Sequence, residues 1–283
     1  MIIKGVMMDT IEELEKQFIS SMYVKTIDFV TEAIKNLTNI EGFDKNLTFA
    51  LINLQLANEF SLKSAVVSKH GIRSILKNNI RHNLSDNDIL EKYQENTLLL
   101  KEYNEIKNFV FSTNCMVELD GKYKKNMEDF QLYRNRIIHS IYNFKNKTAE
   151  EIKKESFTYF LTVINSIFLN INTHQSPSHL VELLNINRNL LSSDSIYLDC
   201  IKEYLGDDYF VCVLCDYPSV TEDFFCLLCF ESFKDNDAFG FKDCIFCDTG
   251  DCVIYDNLND SDLGFCMNCE EKIYFSIFND LDT

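Results

Sequence analysis

The chain has 283 residues, of which 46% are hydrophobic, and this is enough for one large domain and one small domain. Only two prolines and eight glycines are present, which favours long helices over a loop-rich β-sandwich. The first residues lack the layout of a secretory signal, and no apolar run is long enough to span a membrane. We therefore expect a cytoplasmic protein that does not bind membranes.

Apolar residues recur with a helical period through residues 1–206, which predicts an N-terminal helical bundle and a mainly α protein. The predicted helices span 10–37, 46–78, 85–111, 126–143, 148–172, 177–191 and 194–205. Gly71 could break the second of these helices, and Gly206 should end the last.

Local signals mark two further boundaries. Ser85 and Asp88 have the spacing of a capping box at a helix start. The dipeptide Asp120-Gly121 favours a turn, and this predicts a loop over residues 113–125.

Residues 207–283 form the second predicted domain, which is small and β-rich. Its strand-like segments are 209–214, 223–228 and 251–258. It also contains four C-x-x-C pairs, namely Cys212/Cys215, Cys226/Cys229, Cys244/Cys247 and Cys266/Cys269. In a reducing compartment such pairs indicate metal binding rather than disulfides. Because one zinc ion takes four thiolates in a closed tetrahedron, eight cysteines predict two structural zinc ions.

The spacing of the pairs leaves their combination open. Sequential pairing joins the first pair to the second and the third to the fourth, whereas crossed pairing, as in RING-type domains, joins the first to the third. The second half resembles a zinc ribbon with the order knuckle, strand, strand, knuckle, so we expect a double zinc ribbon. The three remaining cysteines are interpreted as small buried side chains, and they are Cys115, Cys200 and Cys252.

Charge also divides the chain. Residues 1–206 carry 24 Lys and Arg against 26 Asp and Glu, whereas residues 207–283 carry 3 against 18. Binding of phosphates requires basic residues, so this ribbon domain is not expected to bind nucleic acid. It can be a folding and oligomerisation module, a surface for a basic protein partner, or a screen for a basic groove elsewhere on the protein.

One of the five histidines has informative neighbours. Arg134, Asn135 and His139 form the pattern R-N-x-x-x-H on an amphipathic helix, and Asn135 and His139 share one face of it. RNA cleavage without a metal needs an imidazole that exchanges protons and a cation that holds the phosphate. This helix is therefore a candidate ribonuclease site.

The same stretch resembles the HEPN superfamily, whose ribonuclease members carry R-x4–6-H. The segment 54–65, with Glu59 and Lys63 four residues apart, looks like the long helix of those domains, and both matches lie within residues 46–172. The resemblance implies a homodimer that joins two motifs into one site, without a catalytic metal, often in antiviral defence or a toxin system. The catalytic residues that it carries over are Arg134, Asn135, His139 and, as a further candidate, Glu59.

These residues also have structural interpretations. Glu59 can form an i,i+4 ion pair with Lys63, and His139 can be a core or interface histidine. The chain would then be a non-catalytic dimeric interaction protein whose ribbons dock a partner. A crossed, RING-like module for protein modification is disfavoured, because all eight ligands are cysteines.

A basic stripe offers a candidate surface for the RNA backbone. Its cations recur every four residues, with no acid between them, at Lys69, Arg73, Lys77 and Arg81. Arg136 is a further candidate contact. The stripe requires a continuous helix, and the alternative is an ordinary solvated face.

Overall fold

A computed structural model describes residues 9–39, 43–112, 121–139, 147–169, 178–206, 210–233, 238–256 and 263–274. It is mainly helical, as predicted, with short antiparallel strands in the C-terminal region. The chain divides into two compact units, Met1–Lys147 with Ser166–Asn172 and Thr148–Asn165 with Thr173–Thr283. The change of composition at residue 206 therefore falls inside the second unit. None of the helices in these ranges combines the length and apolar character needed to cross a bilayer.

The first unit is built on a long helical hairpin. Its helices are α1 (Ile11–Thr38), α2 (Phe43–His70), a 3-10 helix (Ile72–Ile75), α3 (Asp86–Gln94), α4 (Tyr103–Ser112) and α5 (Gly121–Ile138). The hairpin is antiparallel, since the amide of Ile72 donates to Glu15 Oε1 (2.7 Å) while Phe29 and Phe60 are in contact further along. Buried side chains such as Leu14, from α1, form the apolar core with residues from α2, α3 and α4.

Two of the predicted helices are interrupted. The second ends at Gly71, whose φ of +73° leaves the helical region, as the sequence allowed. The predicted helix 85–111 is wrong as a single element, because α3 and α4 are separated by a turn in which Asn96 has a φ of 58°. The capping box at Ser85 is confirmed, since its side chain accepts from the amide of Asp88.

The predicted loop over 113–125 is wrong at its end. Gly121 begins α5, so residues 121–125 are helical. Residues 113–120 and 140–146, which include the end of the predicted helix 126–143, lie outside the described residues.

The second unit contains α6 (Ala149–Leu169) up to residue 165, α7 (Ser178–Ser192) and α8 (Ser195–Leu205). Tyr197 on α8 is fully buried and contacts the rings of Phe157 and Phe160 on α6. Its hydroxyl donates to the carbonyl of Leu227 (2.6 Å), within the cysteine-rich segment. Tyr197 therefore connects α6 and α8 to the cysteine-rich segment.

The strands of the cysteine-rich segment are short. They are β1 (Phe210–Val211), β2 (Pro218–Val220), β3 (Phe239–Lys242), β4 (Val253–Asp256), β5 (Leu263–Cys266) and β6 (Lys272–Tyr274). β1 pairs with β2, and β3 to β6 form an antiparallel sheet in sequence order. The predicted strands 209–214 and 251–258 contain β1 and β4. The predicted strand 223–228 is wrong, because that segment makes only isolated bridges.

Candidate functional sites

The first cysteine cluster consists of Cys212, Cys215, Cys226 and Cys229, whose sulfur atoms all lie within 4.8 Å of one another. The Sγ atoms of Cys212 and Cys229 are 3.7 Å apart, as are those of Cys215 and Cys226. Two of the four side chains are buried and two are partly exposed. This arrangement can hold one metal ion.

The second cysteine cluster has the same form. It consists of Cys244, Cys247, Cys266 and Cys269, again with all sulfur atoms within 4.8 Å. The Sγ–Sγ distances are 3.7 Å for Cys244 with Cys269 and 3.7 Å for Cys247 with Cys266. Each cluster therefore combines neighbouring pairs along the chain, so sequential pairing is confirmed and the crossed pairing is wrong.

Both clusters use the same backbone hydrogen bonds. The amides of Leu214 and Phe246, each two residues beyond the first cysteine of its cluster, donate to that cysteine's Sγ at 3.4 Å. The amides of Cys229 and Cys269 donate to the third cysteine of their cluster at 3.3 Å. N–H donors aimed at sulfur stabilise the thiolate form, which is the form that ligates metals.

A left-handed residue follows every C-x-x-C pair. These residues, with φ between 53° and 64°, are Asp216, Phe230, Asp248 and Glu270. A non-glycine residue rarely adopts this conformation, so four occurrences at one position indicate a repeated local structure. The repeat is not apparent from the sequence, because its spacing is unequal: ten residues separate the two pairs of the first cluster and eighteen separate those of the second.

Neighbouring side chains shift the pKa values of individual thiols. The hydroxyl of Thr249, 3.3 Å from the sulfur of Cys247, and the amide of Asn268, which donates to that sulfur at 3.4 Å, lower the pKa of Cys247 to about 5. In the first cluster, hydrogen bonding with the other thiols, Cys212 foremost, lowers the pKa of Cys215. Hydrogen bonding therefore favours the thiolate of Cys215 in the first cluster and of Cys247 in the second, whereas burial raises the pKa of Cys266 and Cys269 to about 12.

Two of the three remaining cysteines are buried, as predicted. Burial raises the pKa of Cys200 and that of Cys252 to about 11 each, so both thiols keep their protons at neutral pH. Cys115 lies outside the described residues.

The candidate ribonuclease motif lies at the end of α5, with His139 directly after its last residue. Arg134 is half-buried and donates from Nη1 to Oδ1 of its neighbour Asn135 (2.6 Å). Its Nε is buried and has no hydrogen-bond partner among the described residues, and burial lowers the pKa of the guanidinium. His139 is exposed at the end of α5, where its amide donates to the carbonyl of Asn135 (3.0 Å). Arg134 is thus half-buried and held by its neighbour, whereas His139 is exposed.

Near Arg134 is a buried polar group, which interacts electrostatically with it through Tyr103 and which the sequence analysis missed. Asn58 on α2 is fully buried and donates to the hydroxyl of Tyr103 (2.9 Å) on α4 and to the sulfur of Met127 (3.0 Å) on α5. Burial raises the pKa of Tyr103 to about 12, and the charges of Glu59 and Arg134 also act on it. Three helices therefore bring polar side chains together in the core, and the only sequence signal was an asparagine among the apolar residues of α2.

Glu59 forms an ion pair with Lys63, as the structural interpretation of Glu59 predicted. Its Oε1 lies 2.5 Å from the Nζ of Lys63, and only 16% and 9% of the two side chains are exposed. The carboxylate is therefore neutralised within α2, and the pair contributes to the structure of the first unit.

The predicted basic stripe does not form one face of a helix, because α2 ends before Gly71. Arg73, in the 3-10 helix, pairs with Asp86 (2.6 Å), and Lys77 pairs with Glu102 (3.1 Å). Lys69 at the end of α2 is exposed, and Arg81 lies in a turn. Arg136 is exposed on α5.

Comparisons with protein-family models, with curated proteins and with solved structures find no match for this chain. The capacity of the two clusters to hold metal ions therefore follows from the cysteine geometry alone. The resemblance to the HEPN superfamily depends on residues of α2 and α5.

Proposed function

We propose that each cysteine cluster holds one structural zinc ion and that the C-terminal segment is a double zinc ribbon. A tetrahedron with Zn–S bonds of about 2.3 Å has sulfur–sulfur edges of about 3.8 Å. The Sγ–Sγ distances of 3.7 Å in both clusters are consistent with that geometry. Because four thiolates fill the coordination sphere, neither ion would have an open position for substrate or water.

The zinc ribbons would serve assembly rather than nucleic-acid binding. Residues 207–283 carry 18 acidic residues against 3 lysines, and each zinc with four thiolates adds a further formal charge of about −2. Such a surface repels phosphates and suits a basic protein partner. X-ray absorption at the zinc edge tests the sites: four sulfur neighbours per ion are expected, and oxygen or nitrogen neighbours would contradict them.

For the first unit we propose metal-independent RNA cleavage of the HEPN type. The proposal is carried by one observation: the half-buried Arg134 is fixed against Asn135, while His139, one turn beyond Asn135, is exposed to solvent. As the resemblance implies, a homodimer would bring two such motifs together, and the setting would be antiviral defence or a toxin system.

The proposed reaction uses these residues directly. His139 accepts the proton of a ribose 2′-hydroxyl as that oxygen attacks the adjacent phosphorus. The bond to the 5′-oxygen breaks, leaving a 2′,3′-cyclic phosphate and a 5′-hydroxyl, and the histidine of the second copy supplies the proton. Arg134 binds the non-bridging oxygens, where negative charge increases in the transition state.

An RNA cleavage assay on the full-length chain tests this proposal. His139→Ala should lower the rate by about 10²- to 10⁴-fold, the usual contribution of general acid–base catalysis. His82→Ala is the matched control, since His82 is also exposed in the first unit but lies outside the motif. Equal cleavage by wild type and His139→Ala would contradict the proposal and favour the non-catalytic interaction protein. The observation that favours this second candidate is the nearly buried Glu59–Lys63 ion pair, because it gives Glu59 a structural role instead of a catalytic one.

A further inference from the structure

The second cysteine cluster has a fifth thiol beside it. The side chain of Cys252 is fully buried, and its Sγ lies 3.4 Å from the Sγ of Cys266. Its thiol also donates to the carbonyl of Thr249 (3.1 Å). Cys252 belongs to no C-x-x-C pair, and its sulfur is closer to Cys266 than the 3.7 Å that separates Cys266 from its fellow ligand Cys247.

The first cysteine cluster has a hydroxyl at the equivalent position. The amide of Leu227 donates to the carbonyl of Ser219 (2.8 Å), just as that of Met267 donates to the carbonyl of Cys252 (2.9 Å). Leu227 and Met267 each follow the third cysteine of their cluster. The Oγ of Ser219 lies 3.1 Å from the Sγ of Cys226, the counterpart of Cys266. The two sites therefore differ here by one atom, an oxygen in the first and a sulfur in the second.

We propose that Cys252 and Cys266 form a thiol-oxidation site at which a peroxide produces a disulfide, removing one ligand from the second cluster. The proposal rests on the zinc sites described above. Ser219 cannot form a disulfide, so the first cluster lacks this reaction.

The reaction balances with a peroxide as the oxidant. The sulfur of Cys266 attacks one peroxide oxygen and the O–O bond breaks. Hydroxide departs, and the cysteine becomes a sulfenic acid. The sulfur of Cys252 then attacks that sulfenic sulfur, the S–O bond breaks, and water departs with the thiol proton. The two sulfurs are oxidised by two electrons in all, and hydrogen peroxide is reduced to one water and one hydroxide, which takes a proton from solvent and becomes the second water.

The position of Cys252 favours it over the ligands as the second thiol. A ligand must leave the metal before it can form a disulfide, whereas Cys252 is not a ligand. The two sulfurs need only approach from 3.4 Å to the bond length of about 2.05 Å. Both side chains are buried, so the reaction should be slower than that of an exposed thiol, and the informative quantity is the ratio between the two clusters.

The test uses the zinc-loaded, full-length chain and limiting hydrogen peroxide. Zinc release is followed with a chromophoric chelator, and disulfides are mapped by mass spectrometry. Wild type should release one zinc ion faster than the other, with a Cys252–Cys266 disulfide, and reductant should reverse the change. Cys252→Ser, which copies the first cluster, should slow the fast phase on the order of tenfold. The reciprocal Ser219→Cys should make the first cluster equally sensitive.

Release of both ions at one rate in wild type and Cys252→Ser would overturn the proposal, as would disulfides among ligands alone. Since Ser219 shows that a hydroxyl fits this position, Cys252→Ser should fold, and Cys252→Ala provides a second variant. A chain that never binds zinc would contradict the zinc sites instead. Disulfide mapping would then still decide whether Cys252 and Cys266 are oxidised together.

Discussion

The helical hairpin and the cysteine-rich segment are stabilised by different means. α1 and α2 have 28 residues each and bury apolar side chains along their length. The strands of the cysteine-rich segment have two to four residues, and three of the five buried residues in the apolar cluster around the second cysteine cluster are cysteines. Apolar burial can hold the hairpin, whereas the part of the segment around the second cysteine cluster, with so small a core, needs cross-links such as bound metal.

Removing the metal should produce the largest difference between the two regions. Structural zinc contributes about 10–16 kcal/mol of binding free energy in small zinc domains, more than this segment can replace by packing. With a strong chelator, hydrogen exchange should show that amides of β4 and β5 lose protection while those of α1 and α2 keep it. If chelation left the protection of both regions unchanged, the cysteine-rich segment would not depend on bound metal for its stability.

Breaking the buried ion pair of the first unit should have the next largest effect. Glu59→Gln leaves Lys63 as an unpaired, nearly buried cation, so we expect a loss of about 3 kcal/mol in the free energy of unfolding. Glu12→Gln is the control, because its ion pair with Lys16 is exposed and should contribute nothing measurable. Denaturant unfolding measures both variants. Equal stability of the two would show that Glu59 has no structural role.

The hydrogen bonds of Cys247 should affect the pH dependence of the second cluster. In the absence of metal the pKa of Cys247 is lowered to about 5, so its thiolate persists above that pH and is protonated as the pH falls through it. Thr249→Val removes a hydrogen bond of about 1 kcal/mol, which corresponds to an increase of about 0.7 pH unit in this pKa. Zinc release from the second cluster should then begin at higher pH, with the first cluster as internal reference. An unchanged release profile would contradict this role of Thr249.

The smallest effect concerns the link between α8 and the first cluster. Tyr197→Phe removes the hydroxyl that donates to the carbonyl of Leu227 and should cost about 1 kcal/mol in the free energy of unfolding. Thermal unfolding of the zinc-loaded protein measures this cost. Phe246→Leu is the control, since 59% of Phe246 is exposed and its replacement should be nearly neutral. A larger loss of unfolding free energy in Phe246→Leu than in Tyr197→Phe would contradict the stabilising role of the Tyr197 hydroxyl.

Much of this architecture could be predicted from local signals. The helical period located most helices, the capping box fixed the start of α3, and the C-x-x-C pairs identified all eight clustered cysteines. The interruption between α3 and α4 was missed, because Asn96 adopts a left-handed conformation without any glycine or proline to indicate it. Strands of three or four residues, such as β3 and β6, are too short for an alternating pattern to be distinctive.

The missed parts of the sites depend on tertiary contacts. Asn58 and Tyr103 are 45 residues apart, and only the packing of α2 against α4 brings them together. The equivalence of Ser219 and Cys252 follows from backbone hydrogen bonds, which the unequal spacing of the pairs hides. The basic stripe was predicted from a period of four, but that period has meaning only in a continuous helix.

Zinc stoichiometry tests the central claim most directly. Native mass spectrometry of the full-length chain should find two zinc ions in wild type. Replacing Cys212 and Cys226 together, or Cys244 and Cys266 together, should leave one ion in each case, because each double variant disables one sequentially paired cluster. A wild-type chain without zinc would contradict the account, and so would a double variant that loses both ions.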